Sequence, residues 1–339
     1  MRAPGFWWRP PGVLARLLAP IGWLYGAITL RRMRRQGSDP GIPVICVGNF
    51  IAGGAGKTPT AIALAGLLAQ RGETPFVLMR GYGGALRGPV EVHAAHHAAH
   101  AVGDEPLLMA RHARTIVARD RAAGAALARA LGASVIVMDD GLQNPALAKR
   151  LRLAVVDGAS GTGNGYCLPA GPLRAPLDGQ LAEVHAVLVI GGGSLGEALA
   201  DVARAQGVVV LQARLEPSQE AVSRLQGQAV LAVSGIGRPE KFAATLREAG
   251  ARIVAERAFG DHHAYTQRDV TALVEEAQLY DCPVATTEKD MVKLEPLWPH
   301  EERHRLLPVP VSLVFAELGQ VEAMVSAALA AGSGAARAP

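Results

Sequence analysis

The residues best suited to chemistry lie at positions 48–59, GNFIAGGAGKTP. Gly53, Gly54 and Gly56 allow backbone N–H groups to curl around phosphate oxygens without Cβ interference. Ile51, Ala52 and Ala55 complete the loop. Lys57 is expected on the β- and γ-phosphates of a nucleotide and the Thr58 hydroxyl on Mg²⁺. The strict pattern G-x4-G-K-[ST] asks for glycine at position 51, so Ile51 makes this a GGxGKT variant. A glycine-rich turn with an incidental lysine is the bland alternative. A strand before the loop and a helix after it argue against that alternative.

Three further segments carry acid–base or metal chemistry. Residues 134–143, SVIVMDDGLQ, read as an apolar strand ending in Asp139 and Asp140. Carboxylates at that end fall on the edge of an open α/β sheet where ligands bind, and one can hold Mg²⁺ through water. Residues 103–106, GDEP, admit two readings of equal weight: Asp104 caps a helix over 106–112, or it is a base near a transferred phosphate. Asp261 beside His262 and His263 can orient an imidazole and raise its basicity, although two histidines in a loop are more often merely exposed. His93, His96, His97 and His100 have helical metal-face spacing but stand among alanines with no acids to support ligands. They read as an insertion loop.

Alternating strands and helices position these residues. Apolar runs at 42–47, 76–79, 134–138, 153–156 and 186–190 predict parallel strands, with a helix over 59–70 after the loop. The run 208–215 falls outside that rhythm. A second set follows: strands at 229–234, 252–255, 283–286 and 310–315, and helices over 239–248 and 268–278. The fold class is therefore α/β: a P-loop NTPase-type parallel-sheet domain plus a second, smaller α/β domain, with an N-terminal interfacial helix. The expected boundaries are 1–36 for the N-terminal segment, 37–206 for the P-loop domain, 207–227 for an interdomain connection, 228–332 for the second domain and 333–339 for a disordered tail.

Composition agrees. Half of the 339 residues are hydrophobic and 19% are charged, which excludes a mainly disordered chain. The formal charge of +4 is lopsided. Seven of the 34 basic residues lie within 1–36, which has no acid; the rest carries 27 basic against 30 acidic residues, a net of −3. Nucleic acid is therefore not an expected partner. Residues 17–30 lack charge and run into RRMRR at 31–35, with Trp7, Trp8, Trp23 and Tyr25 nearby. That pattern predicts a helix lying in an anionic membrane interface; docking on its own domain is the alternative. Three scattered cysteines predict no disulfide framework and fit a reducing compartment.

Taken in order, these segments resemble the tetraacyldisaccharide 4'-kinase family, the lipid A 4'-kinases of Gram-negative bacteria. The resemblance rests on WLYG (23–26), VGNFIAGGAGKTP (47–59), RGYGG (80–84), VGDEP (102–106), DDGLQN (139–144), LPAGPLR (168–174), SGIGRPEKF (234–242), FGDHHAYT (259–266) and TTEKD (286–290). It implies a Mg²⁺- and ATP-dependent kinase at the cytoplasmic face of the inner membrane, peripheral or monotopic. Its substrate would be the 4'-hydroxyl of a tetraacylated disaccharide 1-phosphate, and its active site would lie between two domains. A monomer is expected. By resemblance, Asp104 is the general base, His262 its partner, Lys57 and Thr58 the loop ligands, and Asp139 and Asp140 the acids around Mg²⁺. Arg121, with Arg119 as an alternative, is an active-site arginine, and Asn49, Gln143 and Arg174 lie near the substrate. The base and its histidine come from different domains and are expected to meet only on closure. Asn144, Ala175 and Arg238 depart from the family pattern of His, an acid and Asn. A nucleotide-dependent switch of the partition-ATPase type shares the loop and is the rival reading.

Overall fold

The structure, a computed structural model, describes residues 3–333. Its strands are β1 (Val44–Gly48), β2 (Pro75–Met79), β3 (Val90–Val92), β4 (Arg114–Val117), β5 (Val135–Asp139), β6 (Leu151–Asp157), β7 (Ala186–Ile190), β8 (Val209–Pro217), β9 (Ala229–Ser234), β10 (Arg252–Ala258), β11 (Val284–Thr287), β12 (Leu306–Val309) and β13 (Val311–Phe315). Nine form one sheet in the order β13-β8-β7-β6-β1-β5-β2-β4-β3; four form a second in the order β10-β9-β11-β12. Pairing is parallel throughout the second sheet. In the first, only β3 and β13 run antiparallel to their neighbours.

The first sheet is apolar on both faces, as a parallel sheet covered by helices must be. Ile45, Val47, Val137, Val155 and Leu188 pack beneath the helices Lys57–Gln70 and Leu318–Ser333. On the other face, Phe76, Ile136 and Met138 meet the helix Arg121–Ala130, while Val156 and Val189 meet Leu199, Ala200 and Ala203 of the helix Ser194–Ala205. The second sheet has its own core, with Val233, Val284 and Leu231 against Leu273, Val274 and Ala277 of the helix Gln267–Leu279.

Two strand assignments differ from the sequence reading. The stretch expected to connect the domains holds β8, which pairs along Ala186–Ile190 of β7 inside the large sheet. The strand expected to close the second domain, β13, instead pairs with β8, and Val321 and Val325 of the last helix join the first core. The second sheet is thus an insertion between β8 and β13. The chain returns because β8 would otherwise expose a full hydrogen-bonding edge. That last helix continues through residue 333, where a tail was expected; residues 334–339 lie outside the described residues.

The N-terminal helix runs over Val13–Met33, longer than its uncharged stretch. Ala15, Gly22, Gly26, Thr29 and Met33 face the domain. A Cβ on Gly22 would come within 2.6 Å of the Cys167 carbonyl, so glycine is required there for the close approach. The opposite side exposes Leu14, Leu17, Ile21, Trp23, Leu24 and Ile28. Docking and apolar exposure therefore coexist on one helix. By length and composition it is also long enough to cross a membrane.

Candidate active site

Strand β1 lies between β5 and β6, with Val47 in register with Asp139 and Gly48 with Ala154. This places the phosphate loop directly beside the acidic strand end. Gly56 caps the helix Lys57–Gln70 with φ +91°, and Gly53 has φ +124°. Both conformations are strained for residues with a side chain. The buried Asn49 donates from Nδ2 to the Gly53 carbonyl at 2.9 Å and so braces the loop. Lys57 Nζ lies over the loop, donating to the same carbonyl at 3.3 Å and standing 3.7 Å from Asp140. Thr58 sits in the first turn of the helix, half-buried. Ile51 is buried and bridges to Leu173, Ala52 N–H donates to the Pro172 carbonyl, and Ala55 is buried.

Asp139 and Asp140 differ sharply. Asp139 is buried and its Oδ1 has no hydrogen-bond partner. Burial raises its carboxyl to about 7, with Glu105 and Asp140 adding to the rise and Lys57 opposing it. Asp140 turns outward in the left-handed region, φ +50°. Its carboxylate takes a two-pronged bond from Arg174 at 2.7 and 3.1 Å. Burial would raise this carboxyl too, but Lys57 and Arg174 outweigh it and hold it at about 2. Arg174 is itself fixed by donating to the Ile51 carbonyl at 3.0 Å and to Gln143 Oε1 at 3.0 Å. Gln143 in turn donates to the Asn49 carbonyl at 2.8 Å. Arg121 is buried under this edge, donates to the Ala118 carbonyl, and feels the charges of Asp139 and Asp140; Arg119 is exposed.

The other half of the cleft is built from both sheets. Gly103, not Asp104, caps the helix Asp104–Met109, so the capping reading of Asp104 fails. Asp104 opens the helix, 7% exposed, and His262 Nδ1 lies 3.1 and 3.0 Å from its two oxygens. Lys293 Nζ stands 3.6 Å from Asp104. Burial alone would raise Asp104; the His262 bond, Lys289 and Lys293 outweigh it and hold the carboxyl at about 2. The Asp104 bond raises His262 in turn, against burial and Lys289. His262 adopts φ +57°, a backbone strain of about 1–3 kcal/mol that the surrounding contacts must hold. One such contact is local: His263 Nε2 lies 3.3 Å from Asp269, which with Thr266 forms the capping box of the next helix.

Closure is not needed to bring Asp104 and His262 together in this conformation. The helix Glu288–Leu294 buries Val292 among Val102, Leu107 and Leu108, flanked by Arg111–Glu295 at 2.9 Å. Apolar packing therefore fixes the two halves around the pair. A second bridge joins Asp157, at the end of β6, to Arg238 at 2.6 Å and to Lys241. Arg238, a departure from the family pattern, thus has a structural role. Asn144 shapes a turn, its side chain accepting from Ala146 N–H at 2.9 Å and its carbonyl from Lys149 Nζ at 2.6 Å, and Ala175 is buried.

The sequence reading missed Glu105, Lys289, Lys293 and Asp157. The signal was present in TTEKDMVK, where two lysines four residues apart share one helical face. The histidine cluster forms a turn in which His97 Nδ1 accepts from His93 N–H at 3.0 Å. Among the described residues no group of three or more His, Cys, Asp or Glu forms a metal cage.

A glycine-rich loop between a parallel strand and a helix, next to an acidic strand end, defines a P-loop α/β protein. A crystal structure of LpxK from Aquifex aeolicus in complex with ATP shares the fold, with TM-score 0.70 at 22% identity over 94% of this chain and all of that one. The model of the family "Tetraacyldisaccharide-1-P 4'-kinase" matches residues 14–330. The chain is 55% identical to a tetraacyldisaccharide 4'-kinase of Methylorubrum extorquens over 97% of this chain and 99% of that protein. It is 52% identical to one of Rhodopseudomonas palustris over 93% and 92%. The chain belongs to the tetraacyldisaccharide-1-P 4'-kinase family.

Proposed function

We propose that the protein is the ATP- and Mg²⁺-dependent kinase that phosphorylates the 4'-hydroxyl of tetraacyldisaccharide 1-phosphate in lipid A synthesis. The observation that carries this reading is the meeting of a phosphate loop and a buried Asp–His pair across one cleft. When bound, Mg-ATP supplies the phosphoryl group and a cation to offset its charge. Lys57 and the loop N–H groups would hold the phosphates, and Arg121, buried beneath the acidic edge, would add positive charge behind them. Thr58, Asp139 and Asp140 would hold Mg²⁺. The unpartnered buried Oδ1 of Asp139, with a carboxyl raised to about 7, fits a role as a ligand to a divalent cation. Asn49 and Gln143 brace the loop from below, and Arg174 links Asp140 to the substrate side.

Asp104 accepts the hydroxyl proton while the sugar oxygen forms its bond to the γ-phosphorus and the bond from that phosphorus to the bridging oxygen breaks, with ADP leaving. A carboxylate held at about 2 is a weak base. It takes the proton only once bond formation has made that oxygen acidic, which suits a loose transition state that asks for positioning rather than early deprotonation. His262 orients Asp104.

The exposed apolar side of the helix Val13–Met33 and the exposed Arg31, Arg32, Arg34 and Arg35 support an interfacial anchor at the cytoplasmic face of the inner membrane. Each such arginine contributes about 1 kcal/mol near anionic lipid. The docked glycine face favours a helix lying along the membrane.

Incubating the protein with Mg-ATP and tetraacyldisaccharide 1-phosphate tests the reading. Mass spectrometry is expected to show a bisphosphorylated lipid. ATP hydrolysis without that product would favour the nucleotide switch instead.

A further inference from the structure

In the mechanism above Lys289, from the TTEKD segment, enters only as a charge near Asp104, yet it lies directly against His262. Lys289 Nζ lies 3.2 Å from His262 Nε2, 3.2 Å from Asp261 Oδ1 and 3.6 Å from Glu105 Oε1. Its side chain is 18% exposed. The charged groups around the His262 ring are Asp104 and Glu105 from one helix, Asp261 from its own loop, and Lys289 and Lys293 from a third element. Tyr82 approaches the ring at 6.0 Å between centroids.

We propose that Lys289 is a positioning residue that fixes the protonation state of His262. A lysine ammonium has three donors and no acceptor. Facing Nε2 at hydrogen-bond distance, it requires a lone pair there. The single remaining N–H is then at Nδ1, where both Asp104 oxygens accept it. Lys289 stays charged because Glu105, Asp104 and Asp261 outweigh the cost of its burial. Lys289 thereby biases the ring toward its neutral form, against the pull of Asp104, and aims it.

Without Lys289, Asp261, whose Oδ2 is 3.8 Å from Nε2, becomes the nearest group to that nitrogen. Two carboxylates would then flank the ring and favour imidazolium. A positive ring against Asp104 lowers the affinity of that carboxylate for the hydroxyl proton at the moment it must be taken. The role of Lys289 rests on Asp104 accepting that proton. Its effect on the ring does not, so the two can fail separately.

The test uses the full chain in detergent, ¹⁵N-labelled at histidine, with His262 assigned by its absence from His262→Gln. At about pH 7 the native protein is expected to show protonated Nδ1 and bare Nε2. Lys289→Met is expected to show both nitrogens protonated on the acid side of neutrality, with kcat about tenfold lower there and recovering as the ring loses its extra proton. Lys289→Arg, which keeps a donor, should restore the native tautomer and a flat kcat profile. An imidazolium in the native protein, or an unchanged ring in Lys289→Met, overturns the proposal. So does a loss confined to KM for the lipid with the pH profile intact, which would make Lys289 a substrate contact. Near-normal turnover in Asp104→Ala would overturn the base assignment instead.

Discussion

The two sides of the cleft are built in opposite ways. The phosphate side is local: one sheet edge, two adjacent strands and a loop between β1 and its helix supply Lys57, Thr58, Asp139 and Asp140. The acceptor side is assembled at long range, with Asp104 and His262 separated by 158 positions and joined through an inserted domain. On the proposed reading, nucleotide binding is a property that one sheet can carry, while transfer to a sugar depends on the insertion. Such a division keeps Asp104 and His262 in register only when both cores are intact.

Separating the two sides is the sharpest use of mutation. Asp104→Ala is expected to lower kcat by roughly 10²–10⁴ while nucleotide affinity, measured by calorimetry, stays near native. A fall in nucleotide affinity of similar size would erase the distinction. Lys57→Met should cost roughly 10²–10³ in kcat and weaken nucleotide binding with it, since it removes a preorganised charge. Unchanged nucleotide affinity there would move Lys57 out of the phosphate side.

Weaker effects probe what joins the sides. Asp157→Ala removes the carboxylate that Arg238 and Lys241 share across the two sheets, leaving Arg238 with Glu240 at 3.3 Å, so the thermal midpoint should fall by a few degrees with a smaller loss of turnover. An unchanged midpoint would show that the apolar contact at Val292 suffices. Asp104 makes stability pH-dependent. Its folded value of about 2 is below the unfolded carboxylate value near 3.8, so its pairing stabilises above that range and is lost as pH falls through about 2. Asp104→Asn should flatten that acid limb in thermal melts, and an unaltered limb would place the stabilisation elsewhere. Smallest for catalysis is Leu17→Glu with Trp23→Glu. Sedimentation with anionic vesicles should drop several-fold, while turnover of detergent-dispersed lipid falls far less.

The same asymmetry explains what could be read from the chain. The phosphate side was legible because its chemistry and its structure share one stretch of sequence. Strands 229–234 and 186–190 emerged with the bounds the structure gives, since buried parallel strands are continuous apolar runs. The capping reading of Asp104 did not hold because the N-cap is the glycine before it, at φ +97°. The return of β13 was hidden: Val311–Phe315 reads as an ordinary strand, and nothing in five residues says which sheet it joins. The spacing in TTEKDMVK marks Lys289 as one of two lysines on a helical face, but its place against His262 emerges only when the fold brings that helix against a loop 27 positions away.

The account stands or falls on where a labelled phosphoryl group goes. With γ-labelled Mg-ATP and tetraacyldisaccharide 1-phosphate, the native protein should place label on the 4'-oxygen of the lipid, and Asp104→Ala should bind nucleotide yet leave the lipid nearly unlabelled. Label released only as inorganic phosphate by the native protein, or lipid labelled equally by both proteins, would contradict it.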